Sequence, residues 1–228
     1  MPPFARIRRL GLWLSCLALF GLNLTLLRHD AFSQAISLPK ATPPLPEALM
    51  AWSRQQATLP DIAVTFRQTR TIPALKQPVS AHGCFWRFQD GSFRWELGSP
   101  AETVLVHDQK EFRVRETPQG EWKNLLENDV RYRMWARFLS GREASPQEMT
   151  RHFIIQQSED SPDATTVTLR PKAPMVRRHL RQLDLQISRS NARLIQLRVI
   201  QGDSSTLLMQ FDEPRNLPSG EKAKILAK

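Results

Sequence analysis

Residues 92–97 alternate without a fault: Phe93, Trp95 and Leu97 are apolar, and Ser92, Arg94 and Glu96 between them are polar. A period of two puts the first three on one side of a strand and the others on the opposite side. The run 79–89 precedes it, and the Asp90-Gly91 pair between them predicts a hairpin whose turn needs positive φ at its central residues. The same period appears in 61–70, where Ile62, Val64 and Phe66 share a side, and in 102–107 and 111–116, a pair around Asp108-Gln109-Lys110. A turn at Pro118-Gln119-Gly120 precedes Trp122.

The period then lengthens. Val130, Met134, Trp135, Phe138 and Leu139 fall on one face of a helix that Asn128 or Asp129 can cap and Gly141 can end. Ser145-Pro146-Gln147-Glu148 is a capping box with proline at the first helical position, so a second helix begins there. An earlier helix is predicted over 46–56, from Leu45, Leu49 and Trp52. Strand periodicity returns at 153–157, 165–169, 183–187, 194–200 and 205–211, with turns at 190–191 and 201–203. No strand is followed by a long crossover helix that would force parallel pairing. The expected fold is therefore mainly β with α: one curved antiparallel sheet, left open as a half-barrel, with helices on its concave side. The tail, 218–228, reads as polar, basic and frayed.

Composition changes this picture mainly at the start of the chain. Arg6, Arg8 and Arg9 precede an apolar run over 10–27, and Ser33-Gln34-Ala35 offers small residues to a signal peptidase. The expectation is a signal peptide, 1–35, cut after Ala35, with an uncleaved anchor as the alternative. A Pro-rich leader, 36–45, and one domain, 46–217, follow. Losing four Arg and one Asp takes the net charge from +10 to +7, which suits an anionic lipid surface or an acidic partner better than nucleic acid in an exported protein. Cys84 is the one cysteine left and reads as a packed strand residue. His82, His107, His152 and His179 lack metal-ligand spacing, and no Gly-x-Ser-x-Gly elbow or phosphate-binding loop is present. No enzyme activity and no cofactor are expected.

Several pieces then line up in order. Ile62-Ala-Val-Thr-Phe66-Arg-Gln68 carries Phe-x-Gln in the first strand; Gly83, Phe85-Trp86, Phe93, Trp95 and Pro100 follow, then Val104-Leu105-Val106-His-Asp108. Leu169-Arg-Pro171-Lys172, the 183–187 strand, Gly202-Asp203, and Phe211 followed by Asn216 complete the set. In this order and spacing the chain resembles the outer-membrane lipoprotein carrier (LolA-like) family over nearly all of its mature length, as a divergent member. The resemblance implies a half-barrel of about eleven strands whose hollow is lidded by helices, with no metal or covalent chemistry. It implies a monomeric periplasmic carrier of acylated lipoproteins, loaded by an inner-membrane transporter and emptied at an outer-membrane acceptor. Three features depart from the pattern: Gln89 stands where many members carry a basic residue before the hairpin turn, Asn216-Leu217-Pro218 runs straight into the basic tail, and the stretch around Arg177, Arg178 and Arg181 is unusually basic. A glycolipid or acyl-linked cargo, or a sensing or scaffold module of the same shape, fits these departures about as well.

On this reading Phe66, Phe93, Trp95, Leu97, Leu105, Phe112 and Met209 line the sheet side of the hollow, and Met134, Trp135 and Phe138 line its lid. For each of them ordinary core is the alternative. Arg177, Arg178 and Arg181 are the candidate contact with a membrane surface or partner, and Arg94, Glu96, Arg113 and Arg115 read as a solvated convex face.

Overall fold

A computed structural model of the chain describes residues 45–108, 111–125 and 145–227. The signal segment, most of the leader and the expected helix with Met134, Trp135 and Phe138 lie outside them.

Helix α1, Glu47–Thr58, buries Leu49 and Trp52, three apart on one face. It ends where Leu59, held extended ahead of Pro60, can no longer continue the helix. Six strands follow: β1 Ile62–Thr71, β2 Val79–Arg87, β3 Phe93–Leu97, β4 Thr103–His107, β5 Phe112–Arg115 and β6 Lys123–Leu125. Helix α2, Pro146–His152, starts at the proline of the capping box. Then come β7 Phe153–Asp160, β8 Ala164–Pro171, the one-turn helix α3 Pro174–Arg177, β9 Leu180–Ser188, β10 Leu194–Gln201 and β11 Thr206–Phe211. A two-residue β12, Arg215–Asn216, and helix α4, Glu221–Ala227, complete the described chain.

The strands form one unclosed, curved antiparallel sheet in the order β6-β5-β4-β3-β2-β1-β11-β10-β9-β8-β7, with β12 pairing the start of β1. Each half is a meander of neighbours, which short turns favour. The halves join through β1 and β11, in register from Phe66 opposite Phe211 to Thr71 opposite Thr206. Consecutive strands β6 and β7 thus stand at opposite edges of the sheet.

Two expectations are corrected here. The 88–92 hairpin is not a two-residue turn with positive φ throughout. Phe88 N–H donates to the Ser92 carbonyl and Gly91 N–H to the Phe88 carbonyl, both at 2.9 Å, and of the loop residues only Gly91 has positive φ, 84°. That is a three-residue loop with glycine at the left-handed position; Asp90 instead accepts from Ser92 N–H at 3.0 Å. The tail, expected to fray, folds as α4 and contacts β3. Its Lys222 ammonium lies 5.7 Å from the centre of the Phe88 ring and pairs with the Asp90 carboxylate.

Candidate functional site

Residues opposite one another in an antiparallel sheet share a face, so the register sorts the side chains. Phe66 lies opposite Gly83, Phe85 opposite Trp95, Arg87 opposite Phe93, Trp95 opposite Leu105, and Phe93 opposite His107. His107 lies opposite Phe112, Gln68 opposite Met209, and Met209 opposite Leu197. Phe66, Phe93, Trp95, Leu97, Leu105, Phe112 and Met209 therefore all stand on one face.

This is the face that carries α1. The Arg87 guanidinium rises from it and donates to the Gln56 side-chain oxygen at 2.7 Å and to the Gln56 carbonyl at 2.6 Å, tying β2 to the last turn of the helix. Burial lowers the Arg87 pKa, which the nearby Asp61 carboxylate opposes. Gln89, the departure noted in the sequence, supplies no charge at the turn; the cation that reaches α1 stands two residues earlier, and the cation beside the turn is Lys222 of α4.

The face is fully packed in some places and only half-covered in others. Phe66, Phe93, Leu97, Leu105, Phe112, Leu185, Ile187 and Leu197 are buried, whereas Trp95, Val64, Phe85, Leu183 and Phe211 keep part of their surface accessible. The aromatic rings form a strip across it. Phe66 stacks on Trp95 with centroids 5.6 Å apart and 12° between planes, and touches Phe211 at 6.0 Å. Phe93 stacks on His107 at 5.3 Å and meets Phe85 and Phe112 at 6.0 Å. Gly83 makes the first group possible: a Cβ there would sit 2.2 Å from Phe66 Cζ and 2.5 Å from the Glu96 carbonyl oxygen.

Polar groups interrupt this face at one end. Gln68 and Arg70 are buried on it, and Arg70 contributes to lowering the pKa of Asp203, which is held down first by hydrogen bonds from Ser205. The alternation of β1 puts both on the side of Ile62, Val64 and Phe66, but two polar residues in succession gave no reason to expect that side to stay covered there. Phe85 and Phe211 join the strip through pairings that the fold supplies: the three-residue loop sets Phe85 opposite Trp95, and the β1–β11 seam sets Phe211 opposite Phe66.

The opposite face departs from expectation. Arg94 is not solvated: it is 2% exposed and ion-pairs with Glu96 at 2.5 Å. Val104 and Val106, on the same face, are fully buried. The guanidinium carbons of Arg113 and Arg115 lie 5.4 Å and 5.2 Å from the Trp122 ring centre, so the indole shields both. Period two reports which residues share a side, but a polar face can be covered by later parts of the chain. Cys84, also on this face, is half-buried, and burial pushes its thiol pKa up to about 11. It is a protonated packing residue at neutral pH. Arg177, Arg178 and Arg181 are exposed at the β8–β9 connection. Among the described residues no group of His, Cys, Asp and Glu is arranged to hold a metal.

A sequence model of the family described as "Outer membrane lipoprotein carrier protein LolA" matches residues 57–223. No curated protein matches the chain in sequence. Similar solved structures include a LolA superfamily protein from Nitrosomonas europaea, at 10% identity and TM-score 0.39, covering 77% of this chain and 94% of that one. The Mycobacterium tuberculosis lipoprotein LppX is similar at 14% identity and TM-score 0.41, covering 77% and 98%. The Pseudomonas aeruginosa MucA/MucB complex is similar at 12% identity and TM-score 0.39, covering 77% of this chain and 59% of that one. The family match spans most of the chain and takes in both meanders of the sheet, and the chain therefore belongs to the outer-membrane lipoprotein carrier protein LolA family.

Proposed function

We propose that the helix-bearing face of the sheet shields the acyl chains of a lipoprotein, or of another acylated amphiphile such as a glycolipid, during passage from the inner to the outer membrane through the periplasm. Family membership supports a lipid or lipoprotein carrier role. The observation that carries the reading is the half-covered aromatic strip: Trp95, Phe85 and Phe211 share a face with fully buried core yet remain partly accessible. A core built only for stability covers its largest apolar groups, since accessible apolar area forgoes about 25 cal/mol per Å². A face that must accept and release alkyl chains leaves such groups within reach.

On this reading Phe66 and Trp95 form the floor, Phe93 and Phe112 its buried support, and Met134, Trp135 and Phe138 the cover. No step of covalent chemistry is required. Donor and acceptor are membrane assemblies that recognise the loaded and empty carrier.

Native mass spectrometry of the protein taken from its own envelope is the test. Acyl-bearing species should accompany the wild-type chain, and Trp95→Glu should remove them while circular dichroism shows the sheet intact, because Trp95 is only half-buried. Unchanged lipid occupancy in Trp95→Glu would sink the assignment of this face, and a wild-type protein free of acyl species would favour a sensing or scaffold role.

A further inference from the structure

We propose that the corner formed by the paired ends of β7 and β8 and by α3 docks on a membrane surface rich in anionic phospholipid headgroups. Between Ala164 and Leu183 the chain carries five cations, Arg170, Lys172, Arg177, Arg178 and Arg181, and no carboxylate. All five are exposed. Among the described residues no ion pair neutralises Arg177 or Arg178; Lys172 donates to the Thr150 carbonyl and Arg181 to the Ser204 hydroxyl, neither of which carries charge. The two carboxylates of the adjoining β9 and the β10–β11 turn, Asp184 and Asp203, are engaged elsewhere. Asp184 accepts from Thr168, Gln182 and Arg198, and Asp203 from Ser205.

Two exposed apolar side chains stand among these cations. Met175, in α3, is 47% exposed, and Ile154, directly opposite Arg170 in the β7–β8 register, is 45% exposed. The backbone that presents them is held in place. Gly202 N–H donates to the His179 carbonyl at 2.9 Å, and a Cβ at Gly202 would lie 1.6 Å from the Arg178 carbonyl oxygen, so this turn seats directly against the arginine pair. Exposed apolar side chains in the same short segments as exposed cations match the boundary between headgroups and acyl chains. A protein partner would call for a broader apolar centre inside a polar rim. The proposal is independent of which cargo the sheet carries, or whether it carries one.

The test uses the chain as processed and purified from its own envelope, with Cys16→Ser, Cys84→Ser and Met175→Cys, and an environment-sensitive dye on the new thiol. Vesicles of phosphatidylcholine alone are compared with vesicles that also contain phosphatidylglycerol. Emission should shift to the blue only with the anionic vesicles, and rising salt should reverse it. Each cation near such a surface is worth about a fivefold change in affinity, so replacing Arg177, Arg178 and Arg181 by Gln should weaken binding on the order of 100-fold. Replacing all three by Lys should restore most of it, and replacing Arg67, Lys76 and Lys224 by Gln should change it much less. An equal response to neutral vesicles, no loss in the Arg→Gln variant, an equal loss in the control variant, or a response to polyglutamate but not to vesicles would each overturn the proposal. The last outcome would indicate an acidic protein partner.

Discussion

Gly83 shows how one residue's lack of a side chain shapes the whole face. It is the strand residue over which the Phe66 ring lies, and the space it leaves lets Phe66 reach Trp95 on the next strand but one. Gly83→Ala would push a methyl group against both the ring and the fixed Glu96 carbonyl. Since the carbonyl belongs to a paired strand, the ring must move. The expected cost is roughly 1–3 kcal/mol, read as a lower midpoint in chemical denaturation. Tryptophan emission should change with it, because Trp95 loses its stacking partner. An unchanged midpoint and spectrum would mean that the ring does not rest there.

Helix α4 is held over the hairpin by the Lys222–Asp90 pair and by contact with β3. Burial alone would raise the Asp90 pKa, but hydrogen bonds from Lys222 and Ser92, together with the Lys222 charge, outweigh it and hold the value at about 2. A carboxylate with a depressed folded pKa adds stability that is fully present above its unfolded value, near 3.9, and lost as pH falls through about 2. Acidification across that window should therefore release α4, seen as faster amide exchange in 221–227 while β1 and β11 remain protected. Lys222→Met should raise the Asp90 pKa toward its ordinary value and loosen the helix already at neutral pH. If carbon-detected titration finds Asp90 near 4 in the wild type, the pair does not anchor the helix. Beside the same hairpin, Arg87 ties α1 to β2 through two hydrogen bonds from a charged group, each worth about 1.5–3 kcal/mol.

For the molecule as a whole, the balance is between holding and releasing a chain of methylenes. Burying one CH₂ is worth about 0.8 kcal/mol, so a long acyl chain fully transferred from water would gain roughly 12 kcal/mol, close to nanomolar affinity. Much of the helix-bearing face is already covered by the protein itself: Leu49, Trp52, Phe66 and Leu185 are almost without exposure. Cargo would replace existing contacts there and gain new burial mainly at Trp95, Phe85 and Phe211. The expected affinity for a single-chain amphiphile is therefore about micromolar, near 8 kcal/mol, by isothermal titration calorimetry. Nanomolar binding would indicate a preformed empty hollow, and no binding a closed core.

Period two in 61–70, 92–97 and 183–187, the helical spacing of Leu45, Leu49 and Trp52 and the capping box at Ser145 were enough to predict these strands, these two helices and antiparallel pairing, because side-chain alternation follows directly from backbone geometry. The gathering of Phe66, Trp95, Leu105 and Met209 on one face was legible for the same reason, and the order of motifs pointed to the family. The fate of the polar residues was not legible there. Whether Arg94 meets water, whether Arg87 reaches a helix and whether the tail holds to the hairpin depend on segments far away in the chain. Burial of a charge is decided by what later folds over it. Local pattern determined which residues share a side; only the tertiary structure decided which of those sides is covered.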